Sequence, residues 1–302
     1  MAQRSYNIKD MIYNFLNKIF PSHVFYMYKE ISTVDCYFYE KADKSEFNNG
    51  SIAKYCPYRK GPGSNACFSY LEMARSGVIN FLENLKDKNG LEYDKLAEYV
   101  ILFLSYKLKQ HSQHKSTNLN TFYSNHIEKN EYYNKIKVNG LTCKEIIDKK
   151  KDLMNTNEIS KFNDPFSILV LLYNEIKKNN KDCTNLSQKA NEFVQKFENL
   201  NQDSSIIGNN SYREILSNLF NDYDDFKNDY AKNCSHFSDL PTLPEIKTPP
   251  SKLIPVLSTF SVIPIFLGIA YKYSLFGIDK LFQRQYIRKK LKKVKKKLKI
   301  NI

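Results

Sequence analysis

Residues 186–200, LSQKANEFVQKFENL, place Leu186, Ala190, Phe193, Val194, Phe197 and Leu200 at spacings of three and four. That spacing lines up one face of an α-helix, whereas a strand would need a period of two. The same period extends in both directions. Upstream, Phe68, Leu71, Val78, Leu82 and Leu85 repeat it around Arg75, with Asn89-Gly90 as a stop. Leu96, Val100, Ile101, Phe103, Leu104 and Leu108 form a second run, apolar on more than one side and therefore expected at the centre. Leu119, Phe122, Tyr123 and Ile127 form a third, followed by Asn139-Gly140 and a short helix around Ile146 and Ile147. Asp164-Pro165 reads as an N-cap with proline at the first helical position, ahead of the buried run SILVLLYNEI. Ser211 and Glu214 read as a capping box before Ile215, Leu219, Tyr223 and Phe226. No stretch alternates long enough to predict a sheet. Nine Gly and ten Pro are too few for a turn-dense β sandwich, and 42% hydrophobic content is too high for a disordered chain. The expectation is an all-α bundle of about six helices over residues 68–237, preceded by an irregular, cysteine-containing region at 1–67.

Beyond residue 237 the character changes. Residues 238–252, SDLPTLPEIKTPPSK, hold four prolines, which forbid helix and favour extended polyproline backbone. This predicts a semi-rigid stalk. Residues 253–271, LIPVLSTFSVIPIFLGIAY, carry no charge and are bracketed by Lys252 and Lys272. As a helix they would span about 28 Å at roughly 1.5 Å per residue, close to a bilayer core of about 30 Å. A single membrane-crossing helix is expected, kinked at Pro264. Residues 11–28 are apolar but interrupted by Asn, Lys18, Pro21 and His23, so the membrane segment itself is expected to act as the targeting signal.

The formal net charge of +14 is unevenly placed. Residues 272–302 hold twelve Lys and Arg and one acid, Asp279, so +11 lies there and +3 on the other 271 residues. A uniformly basic, nucleic-acid-binding domain is thereby excluded. Basic flanks stay cytoplasmic, so the tail is expected inside and the helical portion outside or lumenal. Ile287, Leu291, Val294 and Leu298 form one stripe, surrounded by Arg288, Lys289, Lys290, Lys292, Lys293, Lys295, Lys296 and Lys297. Such an amphipathic tail suits the anionic lipids of an inner leaflet, each Lys or Arg contributing about 1 kcal/mol.

Six cysteines, Cys36, Cys56, Cys67, Cys143, Cys183 and Cys234, all precede the membrane segment and are candidate disulfide partners. At least one bridge is expected within Cys36, Cys56 and Cys67, the remaining connectivity being open. His111 and His114 are the nearest approach to a metal element, but they sit in polar KQHSQHKSTN and no cysteine pair has CxxC spacing. Asp222, Asp224 and Asp225 read as a solvated helix face. There is no phosphate loop, serine elbow or HExxH helix. The expectation is therefore a non-enzyme with no cofactor, no nucleic-acid partner and no small-molecule substrate. Sequons at Asn49, Asn185, Asn209 and Asn233 carry little weight in so Asn-rich a chain.

Three blocks resemble a known family: Gly268–Lys299 (GIAYKYSLFGIDKLFQRQYIRKKLKKVKKKLK), Cys143–Met154 (CKEIIDKKKDLM) and Asn191–Ile206 (NEFVQKFENLNQDSSI). Together they look like the Plasmodium interspersed repeat (PIR) proteins, closest to the rodent-parasite CIR, YIR and BIR branches, over roughly residues 70–302. Residues 1 to about 35 depart from that family's usual opening, which carries an early cysteine and acidic residues. The resemblance implies an all-helical ectodomain. It also implies a multigene variant antigen displayed on parasite membranes or exported toward the infected red-cell surface, where host receptors or antibodies would be its partners. An internal scaffold or trafficking protein of the parasite's vacuole or export compartments is the alternative.

Overall fold

The computed structural model describes residues 23–41, 46–48, 50–59, 65–86, 88, 92–155, 157–236, 239–249 and 284–293. The chain divides into two compact units, Met1–Pro249 and Pro250–Ile302.

In the first unit the helices are α1 (His23–Asp35), α2 (Gly50–Ala53), α3 (Tyr70–Leu85), α4 (Tyr93–Gln110), α5 (Leu119–Phe122), α6 (Glu131–Lys135), α7 (Cys143–Asp148), α8 (Asn163–Glu175), α9 (Cys183–Gln202), α10 (Ser204–Ile207) and α11 (Asn210–Asn233). A π-helical turn at Tyr123–Ile127 continues α5, and 3-10 turns occupy Lys151–Asn155 and Glu158–Phe162. The 186–200 stripe lies within α9, and all six of its apolar positions are buried. Asp182 starts this helix by accepting from the Asn185 N–H at 3.0 Å. Asp203 ends it and at once caps α10, accepting from the Ser205 N–H at 2.9 Å. The Lys161 ammonium and the Ser205 hydroxyl hold the Asp203 carboxyl down at about 2.

The central run expected at 96–108 is α4, buried along most of its length. Of the six large apolar positions read there, every one is inaccessible or nearly so. α3 starts one residue after Ser69, which accepts from the Glu72 N–H, while Glu72 accepts from the Phe68 N–H. Phe68 itself is exposed and lies outside the apolar stripe. At Gly77 a Cβ would sit 2.9 Å from Phe38 Cε1 and 3.2 Å from Val34 Cγ1, so the missing side chain sets how closely α3 approaches α1.

Four features differ from the sequence reading. The division at 67/68 disappears: α1 lies on α8 and α3, and Tyr28, Ile31 and Val34 belong to the same core as α9. Among the described residues there are three two-stranded antiparallel hairpins, β1 (Phe38–Glu40) with β2 (Glu46–Asn48), β3 (Tyr58–Arg59) with β4 (Asn65–Ala66), and β5 (Lys137–Val138) with β6 (Leu141–Thr142). They are too short to show a period in sequence. The third turns on Asn139 and Gly140, both at positive φ (47° and 101°), the backbone that Asn-Gly supplies in a tight hairpin. The capping box is at Thr142 and Glu145, opening α7, whereas α11 is capped by Asn209. Ser211 instead donates to Asp152, and Glu214 pairs with Lys150. Finally, α8 begins at Asn163, so Asp164 falls inside its first turn.

Residues 239–249 are extended, as their prolines require, but part of the segment is laid against the bundle. Leu240 is buried, Leu243 and Ile246 touch the core, and Tyr223 donates to the Pro241 carbonyl at 3.0 Å. Asn201 clamps the segment from both sides, donating to the Glu245 carbonyl at 2.9 Å and accepting from the Lys247 N–H at 2.8 Å. The helical unit thus extends past Phe237, because apolar residues between the prolines gain by burial.

The Leu253–Tyr271 segment lies outside the described residues. Among the described residues no helix is long and apolar enough to cross a membrane. In the second unit, residues 284–293 form a helix whose side chains are all exposed.

Cys56 is bonded to Cys67, closing 11 residues of the N-terminal region, and Cys183 to Cys234, joining the start of α9 to the end of α11. Cys36 and Cys143 are free, against the expectation that all six could pair. Cys143 is buried at the first position of α7, sequestered from any partner. Loop-closure entropy then ranks the two bridges. Replacing both Cys183 and Cys234 with Ala should lower unfolding stability by about 4 kcal/mol, and the Cys56/Cys67 pair by about 3 kcal/mol, as read by urea denaturation.

Candidate functional site

Among the described residues of the first unit, the ionisable side chains that bear on a site are three buried knots, the neighbouring pair His111 and His114, the free thiols Cys36 and Cys143, and those at the rim of an open cleft. The largest knot is centred on Asp222 of α11, which is fully buried rather than on a solvated face. Tyr28 of α1 donates to its Oδ2 at 2.8 Å, Tyr99 of α4 donates to the same oxygen, and the Lys95 ammonium lies 2.9 Å from Oδ1. Tyr173 of α8 donates to the Asp222 carbonyl at 2.7 Å and stacks on Tyr28 with centroids 4.6 Å apart. Burial pushes the Asp222 carboxyl upward, partly offset by Lys95 and the two phenols. Asp224 is exposed and Asp225 half-buried, its carboxyl raised by burial and by Asp222.

A second knot holds Lys107, only 2% exposed, whose ammonium reaches Asp35 at 2.7 Å, Gln110 at 2.8 Å and the Phe38 carbonyl at 3.3 Å. All three of its protons are engaged. In a third, Glu98 accepts from Asn218 and meets Lys150 at 3.0 Å, while Lys150 also meets Glu214 at 2.6 Å. Each knot ties α4 to another element, and each charged group is taken up by its neighbours. Chemically these are fasteners.

His111 caps the end of α4, buried, with its ring 4.5 Å from that of His114 and 4.3 Å from Tyr70. The pair therefore packs against an aromatic ring. Among the described residues no group of three or more His, Cys, Asp or Glu is placed to hold a metal ion. Burial raises the Cys143 thiol to about 12, which leaves almost no thiolate at neutral pH. Periodicity missed Asp222, Glu98 and Lys107 because a buried charge and an exposed one look identical in sequence. The one available signal was that Asp222 and Lys107 occupy core-facing registers of otherwise apolar stripes.

In the second unit, Arg288, Lys289, Lys290, Lys292 and Lys293 lie on the exposed helix 284–293 together with Tyr286, Ile287 and Leu291, which are more than half exposed. The Lys290 ammonium stands 5.3 Å over the Tyr286 ring. Lys295, Lys296 and Lys297 lie outside the described residues.

A cleft of about 480 Å³ opens between the last turn of α4, the turn 115–118 and the 3-10 turn Glu158–Phe162. Leu108, Leu119 and Ile159 supply apolar wall, and Lys109, Lys115 and several hydroxyl and amide side chains supply polar rim.

Residues 28–272 match the family described as Plasmodium variant antigen protein Cir/Yir/Bir. A solved structure described as that of a Plasmodium PIR protein ectodomain is similar over 74% of this chain and 99% of its own, with 31% sequence identity and a TM-score of 0.56. Comparison with curated proteins gives no match.

The Asp222 knot has a measurable signature. A carboxyl raised by folding binds its proton more tightly in the native state, so its contribution is fully present below the ordinary range near pH 4. That contribution is lost as pH rises through the folded value. The stability advantage of wild type over Asp222→Asn should therefore widen as pH falls from 7 toward 4 in urea titrations. Asp222→Ala should cost about 3 kcal/mol at neutral pH, leaving two buried phenols without an acceptor.

Proposed function

Because the chain belongs to the family of Plasmodium variant antigen proteins Cir/Yir/Bir, we propose that it is a single-pass membrane antigen. Its helical unit faces outward or into a lumen, at or on the way to the infected red-cell surface. There it serves antigenic variation, immune evasion or host-cell adhesion without performing chemistry. The observation that carries this reading is the order of segments. A helical unit fastened by two disulfides precedes 19 charge-free residues, Leu253–Tyr271, and then a tail holding +11. Disulfides suit an oxidising exterior, and a polybasic flank suits the cytoplasmic face. The candidate partners are host antibodies or receptors at the helical unit and anionic inner-leaflet lipids at Arg288–Lys297.

A second reading, an internal membrane scaffold or trafficking protein, draws on the exposed Ile287 and Leu291 of the tail helix. An amphipathic basic helix can hold a membrane or a partner in place. Protease shaving of intact infected red cells, read with antibodies to each end, tests the orientation. Digestion of residues 70–230 with the tail epitope protected is expected, and the reverse pattern overturns it. Replacing Ile287, Leu291, Val294 and Leu298 with Ser separates the two readings. Localisation and partner recovery should be unchanged for a surface antigen and lost for a scaffold.

A further inference from the structure

In the cleft beside the end of α4, two lysines, two hydroxyls and a buried amide oxygen converge with few protein partners among the described residues. Elsewhere Lys95, Lys107, Lys150, Lys161 and Lys196 are each held by an acid within 3.0 Å. Here the Lys115 ammonium meets no acid or carbonyl among the described residues, though it is exposed at the rim. Lys109 stands 3.7 Å from Asp164, whose other oxygen is held more closely by Lys196 at 2.9 Å. The hydroxyls of Ser116 and Thr117 make no hydrogen bond among the described residues.

The floor shows the complementary deficit. Asn163 is 2% exposed and donates through Nδ2 to the Ser105 carbonyl at 3.3 Å, but its Oδ1 is buried without any donor. A buried acceptor in that state costs stability until something donates to it. Leu108, Leu119 and Ile159 complete the wall with apolar surface, and the volume falls within the roughly 300–1,000 Å³ of small-molecule sites.

We propose that this cleft binds an acidic saccharide. The carboxylate of such a ligand answers Lys109 and Lys115. Its hydroxyls supply the donor that Asn163 lacks and accept from Ser116 and Thr117. The C–H face of its ring lies on the leucine and isoleucine wall. A bare inorganic anion would satisfy only the lysines, and a neutral sugar only the hydroxyl and amide groups. This ligand class goes beyond the antigen reading and does not depend on which membrane carries the protein.

The test is saturation-transfer difference NMR on the full chain in a sugar-free zwitterionic detergent, with glucuronate, glucose and inorganic phosphate as probes. Glucuronate should receive saturation and be competed weakly by glucose and by phosphate. Lys109→Gln with Lys115→Gln should weaken glucuronate binding by about tenfold or more, through the loss of two charge-assisted contacts at an exposed rim. Both lysines are exposed, so far-UV circular dichroism of the double variant should match wild type. Ser116→Glu, which sets a like charge at the rim, should weaken binding further, and Lys86→Gln, away from the cleft, should leave it unchanged. Absence of transfer to glucuronate overturns the proposal. Equal binding of glucose, phosphate binding as tight as glucuronate, or an unchanged affinity in the lysine variant overturns it as well.

Discussion

The helical unit depends on a carboxylate that the hydrophobic effect alone would have kept at the surface. Asp222 is fully buried, and its oxygens gather Tyr28 from α1, Lys95 and Tyr99 from α4, while its carbonyl takes Tyr173 from α8. Four helices distant in sequence thereby meet at one residue. Apolar stripes are tolerant of sliding and rotation, since any greasy surface satisfies another. A buried charge is not tolerant, because each missing partner leaves an unsolvated polar group. The stripes supply most of the driving force, and the Asp222 knot selects one arrangement among those the stripes allow. The Lys107 and Glu98 knots repeat the device at two other seams of α4.

What could be read beforehand follows from this division. The stripes of α3, α4, α9 and α11 were legible because burial of one helix face writes itself into spacing. α1 is not, since Tyr26, Tyr28, Ser32 and Thr33 blur its stripe and its inward face mixes the Tyr28 phenol and the Ser32 hydroxyl with Met27, Ile31 and Val34. In sequence Asp222 reads as solvated because it sits near Asp224 and Asp225, and only tertiary placement separates the three. Asn139-Gly140 marks a turn in sequence, yet its hairpin has strands of two residues, below the length at which alternation can be seen. Over the described residues 239–249 the backbone is non-helical, as the prolines require, while the gain from seating Leu240, Leu243 and Ile246 on the bundle is hidden in a composition that looks like linker. The candidate cleft was wholly invisible, being assembled from turns and helix ends that share no motif.

This arrangement suits a protein whose surface is free to change. Substitutions at exposed positions away from caps and knots usually shift stability by less than about 0.5 kcal/mol. Here specificity is concentrated in a few interior polar groups and one stripe per helix. The outer faces of α9 and α11, rich in Asn, Gln, Lys and Asp, take little part in holding the fold. Many surfaces can therefore be carried on one skeleton.

The segment after α11 has a mechanical side. A pull on the chain at Pro249 reaches first the two bonds of Asn201 and then that of Tyr223, all of which run across the extended backbone. Peeled from its end, such a strap yields one bond at a time at low force, and it does so before any load reaches the helices. Behind it the Cys183–Cys234 bridge ties α9 to α11 covalently, so load passing the strap is shared between two helices instead of unwinding one. The few residues laid along the bundle act as a shock absorber, and the disulfide sets where the yielding stops.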